Sequence, residues 1–260
     1  MDVFEVLDVM VLAERKAAEL ILHAHGVIAE TKGDARDVVT EYDLRVQQLV
    51  MDMLREKYPG AAFFCEESDS PDSLDGEMVF IIDPIDGTMN FVHGFKRSAV
   101  SIGFMSRGEI LAGAVYNPYL DELFTAVKGN GARLNGREIR ADDAGLRNSV
   151  VCVGTSPYRP DLSRECFDLI RRVFDHSLDI RREGVASLDL CSVAAGRAGV
   201  YCENSTSLWD YAAGSLIAAE AGAVLATIGG GRLPFSAGKT SIVCAGPETM
   251  KDFLEMAAEA

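Results

Sequence analysis

The chain has 260 residues, of which 48% are hydrophobic and 8% aromatic, a composition typical of a globular protein with a sizeable core and not of a disordered one. Its formal net charge of -15 argues against a general nucleic-acid-binding or anionic-membrane surface. No run approaches the roughly 20 apolar residues of a membrane span, and acidic residues near the start replace a basic leader, so we expect a cytoplasmic protein.

Helices and strands are predicted to alternate through the first part of the chain. Apolar residues near helical spacing predict a long amphipathic helix over residues 2–29. Asp43 is predicted to cap a second helix that runs through Leu54. The apolar runs at residues 61–65 and 78–82 then predict two buried strands.

The second of these strands ends in an acidic hexapeptide, Asp83-Pro84-Ile85-Asp86-Gly87-Thr88. The proline turns the chain sharply, so Asp83 and Asp86 can point into one space, where carboxylate and carbonyl oxygens suit Mg²⁺. Gly87 allows close backbone approach to a ligand, and Thr88 offers a hydroxyl where unpaired N–H groups favour phosphate. Taken alone, the hexapeptide is equally consistent with an ordinary Asp-Gly turn.

Three further acidic segments lie at predicted element boundaries. Asp43 begins the second helix, Glu66 and Glu67 follow the first strand, and Asp210 lies in the first turn of a helix rich in small residues. Adjacent strand residues face opposite sides, so we expect Glu66 and Glu67 to reach one ion together only if the strand has ended. Four acidic segments are more than turn chemistry requires, which favours a metal site.

An antiparallel meander is predicted from Ala99 to Phe124, with a hairpin turn at Ser106-Arg107-Gly108-Glu109. The glycine-rich segment at residues 128–132 lacks the Lys-Ser/Thr ending and the helix of a phosphate loop. A β-turn is therefore predicted there.

After about residue 145 the pattern returns to α/β alternation, with strands predicted at residues 150–153, 178–182, 200–203, 224–226 and 241–244. No linker composition separates the halves. We therefore expect one compact unit with an N-terminal α+β metal-binding part, residues 1–145, and a C-terminal α/β part, residues 146–260, that completes the active site. The six cysteines lack C-x-x-C spacing and are interpreted as buried free thiols.

The two acidic motifs together resemble those of the inositol monophosphatase family, which belongs to a superfamily of Mg²⁺-dependent, lithium-sensitive phosphatases that includes fructose-1,6-bisphosphatase. The hexapeptide with Asn90-Phe91, and Trp209-Asp210 followed by Ala212-Ala213-Gly214, are the most specific elements. The resemblance covers nearly the whole chain. It implies a mixed α/β fold, a layered α-β-α-β-α sandwich.

The resemblance also implies a ligand set for two Mg²⁺ ions. Glu66, Asp83 and the carbonyl of Ile85 would hold one ion, and Asp83, Asp86 and Asp210 would hold a second. Asp83 would then bridge the two ions. Li⁺ is expected to inhibit.

Catalytic roles follow from the same resemblance. A metal-activated water would attack phosphorus in line, with Glu66 and Thr88 orienting or deprotonating it. Asp43 would hydrogen-bond Thr88 or hold a third, weaker metal, and N–H groups at Gly87 and Thr88 would cradle the phosphate. Lys32 matches a mobile loop that closes near the metals, although a solvated loop lysine is an alternative.

Substrate recognition is assigned to the second half of the chain. Ala186, within residues 184–187, matches the position where the family contacts sugar hydroxyls. Glu203 matches a carboxylate that hydrogen-bonds the polyol, although a structural charge at a strand end is an alternative. The substrate and phosphate set implied by the resemblance is Asp86, Gly87, Thr88, Ala186, Glu203 and Asp210, with Glu67 as a further candidate beside the metals.

The sequence departs from the family pattern in several places. Lys96 and Arg97 stand where relatives have proline and apolar residues, Met89 replaces a commoner threonine, and residues 204–207 are polar. The two cations could attract a second phosphate or solvate a strand end. These departures leave the metal ligands intact and the substrate open.

The leading hypothesis is a phosphomonoesterase acting on inositol monophosphate or a similar small sugar or polyol phosphate. Alternatives within the family are fructose-1,6-bisphosphate, histidinol phosphate and nucleotide 3′-phosphates. An alternative of another class is a regulator that binds RNA or a transcription partner. The acidic balance counts against direct RNA binding, and the resemblance implies a homodimer.

Overall fold

The structure, a computed structural model, describes residues 2–32, 36–68 and 70–258. Its helices are α1 (Val3–Leu22), α2 (Glu41–Lys57), α3 (Thr88–Val92), α4 (Ser163–His176), α5 (Ala186–Ala194), α6 (Leu208–Glu220) and α7 (Pro247–Ala258), with short 3-10 helices at Leu146–Asn148 and Pro160–Leu162. Of the helices in the described part of the chain, none has the length and apolar character needed to cross a membrane.

The strands fall into three sheets. They are β1 (Ala29–Thr31), β2 (Val38–Thr40), β3 (Ala62–Cys65), β4 (Val79–Asp86), β5 (Ala99–Ser106), β6 (Glu109–Asn117), β7 (Glu122–Val127), β8 (Ala132–Leu134), β9 (Arg137–Ile139), β10 (Val150–Val153), β11 (Asp179–Arg181), β12 (Val200–Thr206), β13 (Val224–Ala226) and β14 (Thr240–Ala245). A small antiparallel sheet joins β1 to β2. A seven-stranded sheet has the order β3-β4-β5-β6-β7-β8-β9, and a five-stranded sheet has the order β11-β10-β12-β14-β13.

The two large sheets alternate with three layers of helices. α1 and α2 contact one face of the seven-stranded sheet, α5 and α6 lie between the sheets, and α4 and α7 contact the outer face of the five-stranded sheet. Strands β3 and β4 are parallel, and every other pair in the seven-stranded sheet is antiparallel. This arrangement confirms the predicted mixed α/β, α-β-α-β-α sandwich.

Strand β4 is buried along its whole length, because helices cover both faces of its sheet. Phe80 and Ile82 pack into the core beneath α1 and α2, whereas Val79 and Ile81 pack into the core shared with α5 and α6. A strand covered on both faces has apolar residues in succession, which explains the continuous run in the sequence.

Most predicted elements are confirmed, including the five strands of the second half and the hairpin turn between β5 and β6. The glycine-rich segment at residues 128–132 is a turn between β7 and β8, as predicted. All six cysteines are buried and free.

Two helix boundaries were predicted wrongly. α1 ends at Leu22, not near residue 29, and His23 caps it with its backbone N–H donated to the carbonyl of Glu19. α2 begins at Glu41, and Thr40 caps it instead of Asp43. Asp43 is the third residue of α2, and its carboxylate accepts from the Thr40 backbone N–H, the reciprocal half of a capping box.

Helix α6 lies unusually close to the seven-stranded sheet because small residues face each other. A Cβ added at Gly113 of β6 would lie 2.7 Å from the carbonyl oxygen of Ala213, and one at Gly103 of β5 would lie 3.1 Å from the Cβ of Ala212. This close approach brings the first turn of α6, with Asp210, beside the end of β4.

We therefore predict that Gly113→Ala destabilises the protein by about 1–3 kcal/mol, the usual cost of overpacking a core. Gly229→Ala is the matched control, because its Cβ would meet nothing within 4 Å, and its effect should stay within about 0.5 kcal/mol. Urea unfolding measures both. Equal unfolding midpoints for the two variants would contradict close packing of α6.

Candidate active site

A cavity of about 400 Å³ opens at the ends of β3 and β4, where the β4–α3 turn meets the first turns of α5 and α6. The predicted site residues that line it are Lys32, Glu66, Asp83, Ile85, Asp86, Gly87, Thr88, Ala186, Glu203 and Asp210. Asp43 and Glu67 stand behind that lining and contact Thr88 and Lys32, respectively. The structure thus brings together residues that lie far apart in the chain, from Lys32 to Asp210.

Parallel pairing of β3 with β4 sets Glu66 next to Asp83. Cys65 pairs with Ile82, and the Glu66 backbone N–H donates to the Ile82 carbonyl at 3.1 Å. The carboxyl ends of parallel strands meet at one edge of a sheet, so both acids project there. Asp83 is only 1% exposed, and among the described residues its Oδ1 has no hydrogen-bond partner.

Asp86 is held by the start of α5. The backbone N–H and the hydroxyl of Ser187 both donate to Asp86 Oδ2, at 2.7 and 2.6 Å. The pairing register with β5 shifts between Asp83 and Asp86. In the sequence, Ser187 was recognised only as part of a segment expected to bind substrate, and its bonds to Asp86 were not predicted.

Asp43 and Asp210 are positioned by the same local device. Each is the third residue of its helix, and each accepts a 2.8 Å hydrogen bond on Oδ2 from the backbone N–H of the residue capping that helix, Thr40 or Ser207. Thr206 also donates its hydroxyl to Asp210 Oδ2 at 2.9 Å. The Thr-x-x-Asp and Ser-x-x-Asp spacings carry this signal in the sequence.

Lys32 joins Glu66 and Glu67. Its ammonium donates to Glu66 Oε1 at 3.2 Å and to Glu67 Oε1 at 2.5 Å. β3 ends at Cys65, so the alternation of a strand no longer separates the two glutamates, and both reach one cation. The loop predicted around Lys32 also includes Gly33 and Asp34, which lie outside the described residues.

The turn after β4 is tightly packed. Gly87 has φ +86°, in the left-handed region that favours glycine, and an added Cβ would lie 2.7 Å from Val185 Cγ2. Helix α3 begins at Thr88, so the N–H groups of its first turn lack partners within the helix. The Thr88 hydroxyl lies 3.1 Å from Asp43 Oδ1 and 3.0 Å from the Ile85 carbonyl, both acceptors.

Crowding of acids perturbs their ionisation. Burial, and then the charge of Glu66, raises the pKa of Asp83 well above its usual range. Burial and Asp210 raise the pKa of Asp86 to about 8, and burial raises the pKa of Asp210 to about 6. Burial also raises the pKa of Glu66, against the opposing charge of Lys32. All four carboxyl groups are therefore harder to ionise in the folded protein than in water.

The donor set fits a divalent hard cation. All candidate ligands are oxygens, Asp83 has a buried oxygen without a partner, and Asp86 and Asp210 engage Oδ2 in the bonds above, which leaves Oδ1 available. Within the described residues, no group of three or more acidic, histidine or cysteine side chains is already arranged as a metal-coordination site.

The cavity is also lined by Glu203 and by groups that the sequence pattern did not indicate. Glu203 Oε1 accepts from the Ser156 N–H at 2.9 Å, and its Oε2 accepts from the Tyr201 hydroxyl at 2.8 Å. Arg182 and Lys239 also line the cavity and make no ion pair within the described part of the chain. No local sequence pattern distinguishes these two cations from surface charges.

The two cations that depart from the family pattern do not line this cavity. Lys96 is exposed, with φ 55°. Arg97 forms an ion pair with Glu183, the residue two positions before Val185. The suggested attraction of a second phosphate therefore has no support from their positions.

Comparison with known proteins yields a whole-chain match. The model of the inositol monophosphatase family matches residues 2–260. The inositol-1-monophosphatase of Rhizobium meliloti is 37% identical over 259 residues, which cover 96% of this chain and 95% of that protein.

Other similar proteins carry a different name. The Nus factor SuhB of Vibrio cholerae is 36% identical over 253 residues, covering 96% of this chain and 94% of that protein. The crystal structure of the extragenic suppressor protein suhB from Bartonella henselae superimposes with a TM-score of 0.91 at 34% identity, covering 98% of this chain and 99% of that one.

We predict that the stability of the Mg²⁺-free protein falls as pH rises from 4 to 8. Asp210 and Asp86 titrate near 6 and 8 in the native state but near 4 when unfolded, so the native state binds more protons in this window. Their contribution to stability is complete below about pH 4 and is lost as pH rises through both native values.

Urea unfolding in a chelator across this pH range measures the effect, and Asp210→Asn should reduce the loss, because it removes one of the two acids and also the charge that raises the pKa of Asp86. By the same linkage, Mg²⁺ should bind more weakly at pH 6 than at pH 8 and should release protons. A flat or rising stability between pH 6 and 8 would contradict the perturbed carboxylates.

Proposed function

Because the chain belongs to the inositol monophosphatase family, we propose that it is a Mg²⁺-dependent phosphomonoesterase acting on inositol monophosphate or a similar small sugar or polyol phosphate. The observation that carries the proposal is the gathering of acidic side chains around one buried cavity, at Glu66, Asp83, Asp86 and Asp210. Keeping four acids together in one buried cavity costs stability, and phosphate chemistry with bound cations gives that cost a purpose.

The residues that would hold Mg²⁺ are Glu66, Asp83, Asp86, Asp210 and the carbonyl oxygen of Ile85, all of which line the cavity. Bound Mg²⁺ supplies Lewis-acid chemistry, by activating water and neutralising charge on the phosphate and leaving group. The protein itself contributes orientation. Ser187 binds Oδ2 of Asp86, and Thr206 and Ser207 bind Oδ2 of Asp210. The direction of each Oδ1 atom is thereby fixed.

Thr88 and Asp43 are proposed to orient the attacking water. Asp43 Oδ2 is fixed by the backbone N–H and hydroxyl of Thr40, at 2.8 and 2.5 Å, so its Oδ1 remains turned toward Thr88. The Thr88 proton then points to Asp43 or to the Ile85 carbonyl, and its oxygen lone pairs are left to accept from water. Glu66 lies on the same cavity wall to take the water's proton.

Phosphate and polyol would contact different groups of the cavity. The N–H groups in the first turn of α3, after Gly87, suit the phosphate oxygens. Ala186 and Glu203 also line the cavity, and Glu203 is available to accept from vicinal hydroxyls beyond its bonds to Ser156 and Tyr201.

One observation favours a second candidate substrate class within the same reaction. Arg182 and Lys239 line the cavity without an ion-pair partner among the described residues, and a neutral polyol makes no use of two cations. They favour substrates with a further anionic group, such as fructose 1,6-bisphosphate or a nucleotide 3′-phosphate. Histidinol phosphate, which is cationic at its amine, is disfavoured.

A regulator that binds a transcription partner is the candidate from another class. Several relatives of similar identity are named Nus factor SuhB. The two functions can be separated by mutation. Substitutions in the acidic cavity should abolish phosphate hydrolysis but leave partner binding at a docking surface elsewhere unchanged. Direct binding of RNA is disfavoured by the net charge of -15.

A phosphate-release panel tests the substrate class. We expect Mg²⁺-dependent release from at least one of inositol 1-phosphate, fructose 1,6-bisphosphate, histidinol phosphate and a nucleotide 3′-phosphate, with inhibition by Li⁺. No release from any of the four would favour the regulator. Light scattering in the same buffer tests the expected homodimer.

We further predict opposite effects of Asp83→Asn on stability and on turnover. Without Mg²⁺ the variant should gain about 1–3 kcal/mol in stability, because an amide neither carries a buried charge nor has to take up a proton on folding, as the Asp83 carboxyl with its raised pKa does. Turnover should fall roughly 10³-fold or more, since a metal supplies several kcal/mol to the transition state.

Asp52→Asn, an exposed acid of α2 with 61% of its side chain accessible, is the matched control and should change neither quantity. Near-normal Mg²⁺-dependent turnover in Asp83→Asn would refute the ligand assignment. Chelator-treated and Mg²⁺-saturated samples separate the two effects.

A further inference from the structure

Arg97 joins two loops of the active site although its side chain does not line the cavity. Its backbone carbonyl would lie 3.3 Å from a Cβ on Gly87, so it packs directly against the turn after Asp86. Its guanidinium forms an ion pair with Glu183, just before α5, and these side chains are only 29% and 25% exposed. One residue thus contacts the turn on one side and the α5 segment on the other.

The charge of the same guanidinium also acts on a second acid, Asp189. Asp189, in the first turn of α5, lines the cavity, is 1% exposed, and has an Oδ1 without a hydrogen-bond partner in the described part of the chain. Burial raises the pKa of Asp189 well above its usual range, and the charge of Arg97 is the largest influence opposing that rise. Arg97 therefore pairs directly with Glu183, and its charge also lowers the cost of burying Asp189, although the Arg97 and Asp189 side chains form no hydrogen bond or ion pair in the described part of the chain.

The segment that Arg97 holds is the segment that orients Asp86. Asn90 of α3 donates its side-chain N–H to the Glu183 carbonyl at 2.8 Å, and a Cβ on Gly87 would meet Val185 at 2.7 Å. Ser187 then donates two hydrogen bonds to Asp86. A shift of residues 183–187 would therefore move the donors that fix Asp86.

We propose that Arg97 is a positioning residue, whose ion pair with Glu183 locks residues 183–187 against the Asp86-Gly87 turn. This inference rests on the proposed function, because it concerns how the site binds Mg²⁺ and phosphate. Arginine suits the role because its guanidinium stays charged and presents several donors in a fixed geometry. Removing one partner from a buried charge network leaves the others uncompensated.

The test compares Arg97→Met and Arg97→Lys with Arg107→Met. Arg107 follows the other end of β5 and forms an exposed ion pair with Glu77, with side chains 79% and 80% accessible, so it is a matched control. Mg²⁺ binding is followed by the fluorescence of Trp209, the one tryptophan of the chain and the neighbour of Asp210. Inorganic phosphate binding is then measured by calorimetry at saturating Mg²⁺.

We expect Arg97→Met to weaken Mg²⁺ binding by roughly tenfold or more, as for other residues that orient metal ligands. Arg97→Lys should recover part of this loss, and Arg107→Met should match the wild type. The effect of Arg97→Met should shrink in an Asp189→Asn background, because one of the two charges that need Arg97 is then absent.

Mg²⁺ and phosphate affinities of Arg97→Met within twofold of Arg107→Met would overturn the proposal, as would an equal effect of Arg97→Met in both backgrounds. Should Arg97→Met not fold, Arg97→Lys and Glu183→Gln decide by the same affinities. A wild-type protein that binds no Mg²⁺ and hydrolyses none of the panel would refute the proposed function itself. Wild-type binding and turnover with unaffected Arg97 variants would refute only the positioning role.

Discussion

Mutual repulsion among buried carboxylates is the constraint around which this protein is arranged. The acids converge in one cavity, where burial and like charge disfavour ionisation, at Glu66, Asp83, Asp86 and Asp210. Taking up a proton or rotating out of the cavity would reduce the repulsion. The fold limits rotation, because one oxygen of each of three carboxylates is hydrogen-bonded: Asp86 to Ser187, Asp210 to the Ser207 backbone N–H, and Glu66 to Lys32. The site is thus poised for cations at a cost in stability.

Close packing in the central helix layer provides the rigidity that this arrangement requires. α6 approaches the seven-stranded sheet at Gly113 because Ala213 and its neighbours are small. The same closeness brings Asp210 to the end of β4, where Asp83 lies. Stability of the core and geometry of the site are therefore coupled, and a change in one is felt in the other.

In the proposed function, reaction class and substrate class would depend on different residues of the cavity. Glu66, Asp83, Asp86 and Thr88 lie at the ends of β3 and β4, and Asp210 joins them from α6. Glu203, Arg182 and Lys239 come from other elements of the second half of the chain. Relatives of similar identity carry the name of an enzyme or of a Nus factor. Family membership fixes the fold and the ancestry of the site, and function has to be argued from the site itself.

The sequence by itself determined the elements whose signals are local. Alternation and turn chemistry gave the strands and the hairpin between β5 and β6, and the hexapeptide at residues 83–88 marked the centre of the cavity. Thr40 and Asp43 are both residue types that commonly cap helices, and the sequence did not show which of the two does so. Asp43 was therefore mistaken for the cap that Thr40 forms. Only the tertiary structure decided contacts such as Ser187 with Asp86, 101 residues apart, and Arg97 with Glu183. Such contacts depend on how layers pack, and local periodicity carries no information about which distant side chains then meet.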